Sequence, residues 1–174
     1  LGFDFPFYEG TYTQTNISSN GYLTFDTAAR EQLFLNIRPP SDQLPNAMIA
    51  PMWDDLVPGT DGSVFYANGS KDEVDYFAVQ WNLFSRFKET PTVTFEAILF
   101  ENGNILFQYD EMNGILNEAT IGIEDGDGVD GIAYIHNDLG LGNQVAVLFT
   151  RPGESRRAKL TPLYSGGFVI ADKA

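Results

Sequence analysis

The sequence predicts an all-β fold: an antiparallel, jelly-roll-like β-sandwich with at most one short helix. Apolar and polar residues alternate with a period of two along most of the chain, which is the pattern of half-buried strands. Asn-Gly pairs at 20–21 and 102–103 separate β-rich runs and predict hairpins, because both central residues of such turns need positive φ. Strand-like runs also recur every roughly 10–15 residues, close to the rhythm of β-sandwiches.

The predicted strands follow in order from these signals. A β-rich run at 11–17 leads through Asn20-Gly21 to a return strand at 22–25, and Val93–Phe100 leads through Asn102-Gly103 to Ile105–Tyr109. Further strands are predicted at 63–66, 76–81, 119–123, 132–135 and 145–149. The one candidate helix covers 27–34, with Asp26 or Thr27 as its N-cap.

The chain of 174 residues suits a single domain, which we place at 1–150, followed by a C-terminal extension at 151–174. This extension is basic in an acidic protein and ends in the apolar run Phe168, Val169 and Ile170 after a Gly pair. A free apolar strand promotes aggregation, so we expect it to be paired. Two alternatives stay open: packing on its own domain, or donation to a neighbouring copy through strand exchange.

The composition of the chain limits the classes of partner that it can bind. The chain carries 24 acidic and 10 basic residues, a formal net charge of −14, which repels nucleic acid. No stretch approaches the roughly 18 apolar residues of a membrane-spanning helix. We therefore expect neither a nucleic-acid partner nor a membrane span.

Catalytic motifs are missing from the sequence. It has one histidine, His136, no cysteine and no G-x-S-x-G motif for a serine nucleophile. Among 24 acidic residues some pair always has the separation that glycoside hydrolysis needs, so the carboxylates alone indicate little. We expect this chain not to be an enzyme.

One acidic segment is a candidate calcium site. Glu124, Asp125, Asp127 and Asp130 fall within eight residues interleaved with three glycines, and calcium takes six to eight oxygen ligands from pliable loops. The alternative is a hairpin loop in which the Asp-Gly steps form turns. Asp54-Asp55, with Asp61 after Gly59, is a second acidic spot where a metal is the alternative; the favoured interpretation is a capped turn after a buried Trp53.

Two sites of another kind are Asn16 and Asn68, since 16–18 and 68–70 match the N-glycosylation sequon. Trp53 and Trp81 are candidates for a sugar-stacking surface. However, Trp81 lies in an apolar alternation, so we expect both to be core residues.

Several segments in a shared order resemble the nidogen-like (NIDO-type) extracellular β-sandwich domains, which are also found appended to secreted bacterial and archaeal proteins. They are 2–8, 18–25, 49–56, 62–66, 77–81, 101–105 and 119–124. The resemblance covers about 2–149, implies an extracellular β-sandwich accessory domain and names no ligand. From the all-β pattern, the acidic composition, the missing catalytic motifs and the candidate calcium loop, we expect an extracellular or cell-surface module with structural, adhesive or self-assembling duty. The expected partners are proteins or glycans at the cell surface, or copies of the chain itself; this expectation leaves one other class of function. An accessory carbohydrate- or protein-binding domain of a larger secreted enzyme is the alternative it leaves.

Overall fold

The computed structural model describes residues 1–27, 33–114 and 116–151, and the backbone of 168–171. Within these residues the fold is a β-sandwich without helices, as predicted. The candidate helix at 27–34 falls mostly on 28–32, which lie outside the described residues. The described part contains no helix that is long and apolar enough to span a membrane.

Thirteen strands are described. They are β1 (Phe5–Phe7), β2 (Gly10–Tyr12), β3 (Asn16–Ser18), β4 (Tyr22–Thr24), β5 (Met48–Trp53), β6 (Leu56–Lys71), β7 (Val74–Arg86), β8 (Thr92–Phe100), β9 (Ile105–Met112), β10 (Thr120–Glu124), β11 (Gly131–His136), β12 (Val145–Phe149) and β13 (Phe168–Ala171). The larger sheet has the order β13-β12-β9-β8-β7-β6, and the smaller sheet has the order β11-β10-β5-β4-β3. β1 and β2 form a separate hairpin.

Both predicted hairpins are present. β3 pairs antiparallel with β4 across Asn20-Gly21, and β8 pairs with β9 across a turn in which Gly103 has a φ of +89°. The β-rich run at 11–17, however, is divided between β2 and β3 rather than forming one strand. Among the described strands every pairing is antiparallel except that of β13, which lies parallel to β12.

The core fills the space between the two sheets. Trp81 and Phe95 stack with ring centroids 5.2 Å apart, and Trp81 Nε1 donates to the carbonyl of Ser18 on the opposite sheet at 2.8 Å. Tyr109 likewise donates its hydroxyl to the Pro51 carbonyl across the sandwich at 2.6 Å. Buried aromatic side chains thus pair their polar tips while joining the two layers. The prediction that Trp53 and Trp81 are core residues is confirmed, since both are buried.

A second apolar cluster lies apart from the main core. It contains Tyr22, Met48, Ala50 and Trp53, with Leu33 and Ile37 packed against it. Trp53 Nε1 donates to the Leu33 carbonyl at 2.9 Å, and the Leu33 amide donates to the Tyr22 hydroxyl at 3.3 Å. These contacts fix the segment that carries Phe34, Leu35 and Asn36 to one end of the sandwich.

Candidate functional site

At that end of the sandwich, five segments of the chain border a cleft of about 440 Å³. We call it the Arg86 cleft; its lining residues are Phe34, Leu35, Asn36, Asp54, Asp55, Arg86, Phe87, Glu118 and Asn137. β5 and β7 end here, β11 ends one residue before Asn137, and β10 starts two residues after Glu118. The cleft therefore collects residues that are far apart in sequence at the ends of adjoining strands.

Arg86 organises the charged half of the cleft. Its Nε donates to Asp54 Oδ2 at 2.6 Å, Nη1 donates to Glu89 Oε1 at 3.0 Å, and Nη2 donates to Glu118 Oε2. The other oxygen of Asp54 accepts the amide of Asp55 at 2.8 Å. Since Asp54 is buried, this guanidinium is the counter-charge that lets the carboxylate stay inside the fold.

The pKa values follow from this arrangement. Burial raises the pKa of Asp54, and the Asp55 amide and Arg86 offset the effect only in part. Burial by itself lowers the pKa of Arg86, but the neighbouring charge of Asp54 and the contacts with Glu118 and Glu89 outweigh it, so the pKa is raised. The guanidinium therefore remains charged throughout the physiological range.

Apolar side chains form the other half of the cleft. Phe34 is 50% exposed, Leu35 is 73% exposed and Phe87 is 52% exposed. Lys88 Nζ lies 4.9 Å from the centroid of the Phe87 ring, within the range of a cation–π contact. Large apolar side chains that remain half-exposed beside charged groups are typical of surfaces that bind a partner.

A hydrogen-bonded network of neutral side chains closes the far side. Asn36 Nδ2 donates to Thr120 Oγ1 and to Asn137 Oδ1, each at 2.8 Å. His136 joins the network through Thr120, whose Oγ1 lies 2.8 Å from the imidazole Nδ1, and through Asn137 at 3.3 Å. Burial, followed by the charge of Arg38, lowers the pKa of His136, so the imidazole is neutral at pH 7. Within the described residues its hydrogen-bond partners are the Thr120 hydroxyl and the Asn137 amide.

The acidic segment at 124–131 lies at the opposite end of β10. Asp125 accepts the Val129 amide on Oδ1 at 2.9 Å and the Asp130 amide on Oδ2 at 3.0 Å, so its carboxylate closes the loop on itself. Gly128 has a φ of +70°, and a Cβ there would lie 1.9 Å from the Ser41 carbonyl oxygen, so only glycine fits.

The other carboxylates of this loop have different surroundings. Glu124 is buried and accepts the Ser41 amide on Oε2 at 2.7 Å. Burial, opposed by that amide, raises the pKa of Glu124 to about 7. Asp127 is exposed, and its hydrogen bond and charge repulsion with Asp125 raise its pKa. No group of three or more acidic or histidine side chains in the described residues is placed to hold a metal ion, and calcium at this loop stays a prediction.

The family profile described as NIDO related matches residues 1–150 of the chain. The chain belongs to the NIDO-related family. The resemblance seen in the sequence is thereby confirmed. Neither a curated protein nor a solved structure matches this NIDO-related chain.

The remaining predicted sites of the NIDO-related chain lie away from the cleft. Asn16 and Asn68 are both exposed, and Asn68 Nδ2 donates to the Leu1 carbonyl at 2.9 Å. Phe168, Val169 and Ile170 belong to β13, whose backbone pairs with β12 in this structure. Their assigned role in assembly stays a prediction.

The sequence did not point to the Arg86 cleft as a site. Asp54 and Asp55 form an acidic spot in the sequence, but Arg86, Glu118 and Asn137 belong to no local motif. The only available signal was an Asp pair directly after a tryptophan. In the structure that pair lies between β5 and β6, where the chain passes from the smaller sheet to the larger one.

A third feature is the outer edge of the larger sheet. β6 has sixteen residues, pairs with β7 on one side and is the last strand of its sheet on the other. Phe65 is 55% exposed and Tyr66 is 71% exposed near its middle. A long outermost strand with exposed aromatic residues is a template for pairing with another strand.

Proposed function

We propose that this chain is a noncatalytic module that works outside the cell or at its surface and assembles with copies of itself. The observation that carries the proposal is the symmetric charge pattern of β6. Its only charged residues are Asp61 and Lys71, and each lies five positions from Tyr66. Two β6 strands paired antiparallel about Tyr66 therefore bring Lys71 of each copy to the irregular segment of the other that carries Asp61, where opposite charges attract.

The regular part of β6 is long enough for such pairing. Its ladder with β7 is continuous from Ser63 to Lys71, after a register shift that follows Pro58. In the proposed register, residues 63–69 of one copy face residues 69–63 of the other. Strand addition of this kind uses main-chain hydrogen bonds for affinity and side-chain matching for register.

A second edge supports extension beyond a dimer. Pairing through β6 is isologous and closes at two copies, whereas a strand passed from one copy to the next is heterologous and continues. β13 is the outermost strand on the other side of the same sheet and is separated from β12 by residues 150–167. These 18 residues can span at most about 60 Å when fully extended, far enough to reach a neighbouring copy.

The surroundings of His136 support a noncatalytic role. A general base that activates a nucleophile is itself oriented by a third group, commonly a carboxylate. His136 instead contacts Thr120 and Asn137. Placement outside the cell is supported by the resemblance to extracellular NIDO-type domains and remains part of the proposal.

Charge-reversal substitutions on β6 test whether the chain associates through this strand. Sedimentation velocity on the intact chain should detect a dimer or larger species, and Lys71→Glu should weaken association at least tenfold because it places like charges opposite each other. The double variant Lys71→Glu with Asp61→Lys restores opposite charges and should restore association. Glu73→Lys changes a charge just beyond β6 and serves as the matched control.

Electron microscopy separates the two contacts. A dimer that disappears with Lys71→Glu supports the β6 contact, and ordered polymers lost on deletion of 166–174 support exchange of the tail. A monomer at all concentrations, or association indifferent to both changes, contradicts the proposal.

A second candidate function is an accessory carbohydrate- or protein-binding domain. The observation that favours it is the Arg86 cleft, where exposed aromatic side chains adjoin a polar network that is already hydrogen-bonded. Such a domain would bind its ligand as a monomer, which is how sedimentation distinguishes it from the first candidate.

A further inference from the structure

We infer that the Arg86 cleft binds a neutral saccharide. This inference deepens the second candidate function and does not depend on association through β6. It draws on four properties of the cleft: its size, its aromatic walls, its preset polar groups and its charge.

The size of the cleft suits one or two sugar rings. Its volume of about 440 Å³ falls within the range of roughly 300–1,000 Å³ that small-molecule sites occupy. It is open on one side, so a longer chain of sugars can enter with its remaining units in solvent.

The exposed aromatic side chains match the apolar faces of sugar rings. A pyranose presents C–H groups on its faces, and these groups pack on the electron-rich face of an aromatic ring. Phe34 and Phe87 are each about half exposed, so ring surface is available in the folded protein, with Lys88 over one face of Phe87. Leu35 adds apolar area beside them.

The polar groups suit hydroxyls, which act as donors and acceptors at once. The cleft offers amides from Asn36 and Asn137 and carboxylates from Asp55 and Glu118. The amides are fixed by their mutual hydrogen bond, and Glu118 is fixed by Arg86. Groups that are ordered before binding lose little further freedom when the ligand arrives.

Charge decides between neutral and acidic sugars. The lining contains three carboxylates, from Asp54, Asp55 and Glu118, against the guanidinium of Arg86. The Lys88 ammonium over the Phe87 ring adds one more positive charge, so the balance stays negative. His136 beside the cleft adds no positive charge at pH 7, because burial lowers its pKa. An anionic sugar would meet net repulsion here, whereas a neutral sugar would not.

The inference is tested on the intact chain with defined oligosaccharides. Saturation-transfer NMR and calorimetry are run with cellotetraose, xylotetraose and mannotetraose as neutral probes, tetragalacturonate as the acidic probe and tetralysine as the cationic probe. We expect at least one neutral probe to bind with a Kd below about 10 mM, an affinity typical of a weak single site. Tetragalacturonate should not bind.

Variants locate the binding. Phe34→Ala with Phe87→Ala should weaken the affinity for the neutral probe at least tenfold, whereas Phe65→Ala removes an equally exposed ring on β6 and should leave it unchanged. Asn137→Gly provides a second test that keeps the backbone, because Asn137 has a φ of +51° that glycine adopts freely. It should weaken binding about fivefold.

Three results would overturn the inference: no neutral probe binds, tetralysine is the only probe that binds, or the Phe34, Phe87 and Asn137 variants bind as the parent does. Failure of the self-assembly proposal is read separately by sedimentation. A monomer that binds a neutral sugar supports this inference and contradicts assembly through β6.

Discussion

The two ends of β10 are both acidic, but they hold their carboxylates in different ways. At the Arg86 cleft, a guanidinium reaches Asp54, Glu89 and Glu118. About 13 Å away along the strand, in the loop at 124–131, backbone amides hold Asp125 and Glu124. Similar residue types therefore produce different local structures.

This difference has a physical consequence. A backbone amide is part of the loop itself, so a carboxylate that accepts hydrogen bonds from amides fixes the shape of the backbone. Its oxygens are then already hydrogen-bonded and are less available to a ligand. A guanidinium is a side chain with five donors, and it can arrange several carboxylates around an open space. The arrangement at the Arg86 cleft therefore favours a recognition surface, while the arrangement in the loop at 124–131 favours a rigid turn.

The largest expected effect comes from removing the guanidinium. Arg86→Met leaves the buried Asp54 carboxylate without its counter-charge, and we expect a loss of about 4 kcal/mol in the free energy of unfolding. Urea denaturation at pH 7 measures it. Adding Asp54→Asn should recover much of the loss, because it removes the uncompensated charge and keeps an oxygen for the Asp55 amide.

Lys88→Met is the matched control, since Lys88 is exposed two residues away from Arg86. It should change stability by less than about 0.5 kcal/mol. If Arg86→Met proved equally harmless, Asp54 would not depend on the ion pair, and the contrast between the two ends would fail.

The next effect concerns the opposite end of β10 and depends on pH. The folded protein holds the Glu124 proton up to about pH 7, whereas the unfolded chain releases it near the ordinary value of 4.5. The folded state thus binds more protons between these values, so the unfolding free energy falls as the pH rises through them. The shift corresponds to about 3 kcal/mol.

Glu124→Gln cannot titrate and keeps an oxygen for the Ser41 amide. Its stability relative to the parent should therefore rise by about 3 kcal/mol between pH 4.5 and pH 8, measured by urea denaturation across that range. Glu101→Gln, at an exposed position, should track the parent at every pH. If the unfolding free energies of Glu124→Gln and the parent change in parallel with pH, burial does not raise the pKa of Glu124.

The two ends also differ in how far the sequence predicts them. The acidic loop was visible because its residues are contiguous and its glycines mark turns. The Arg86 cleft was not, because Phe34, Arg86 and Asn137 meet only after the sheets are stacked. Local patterns carry information about strands and turns, while a cleft between strand ends depends on the order of strands in the sheets.

β6 illustrates the same limit within a single strand. The sequence predicted strand structure only at 63–66, because Pro58, Gly59 and Gly62 resemble turn residues. In the structure the strand runs from Leu56 to Lys71, and a register shift between Pro58 and Ser63 absorbs these residues as an irregularity. Proline and glycine are tolerated there because β6 is an edge strand.

The smallest effect is expected from calcium at the acidic loop. Asp125 already accepts two amides, so the loop is closed by its own backbone, and an ion can add only modest stability. At a calcium concentration ten times its Kd, the gain is about 1.4 kcal/mol, which corresponds to a rise of about 3 °C in Tm. Thermal denaturation in calcium, compared with magnesium at equal ionic strength, measures the rise.

Asp127→Asn sharpens this test, because Asp127 is exposed and removing its charge relieves the repulsion with Asp125, so the metal-free Tm should not fall. The variant should abolish the rise with calcium, whereas Asp72→Asn, on the turn between β6 and β7 of the larger sheet, should retain it. An equal rise in both variants would identify general screening of the net charge of −14. No rise in the parent would leave Asp125 and the loop amides as a complete account of this turn.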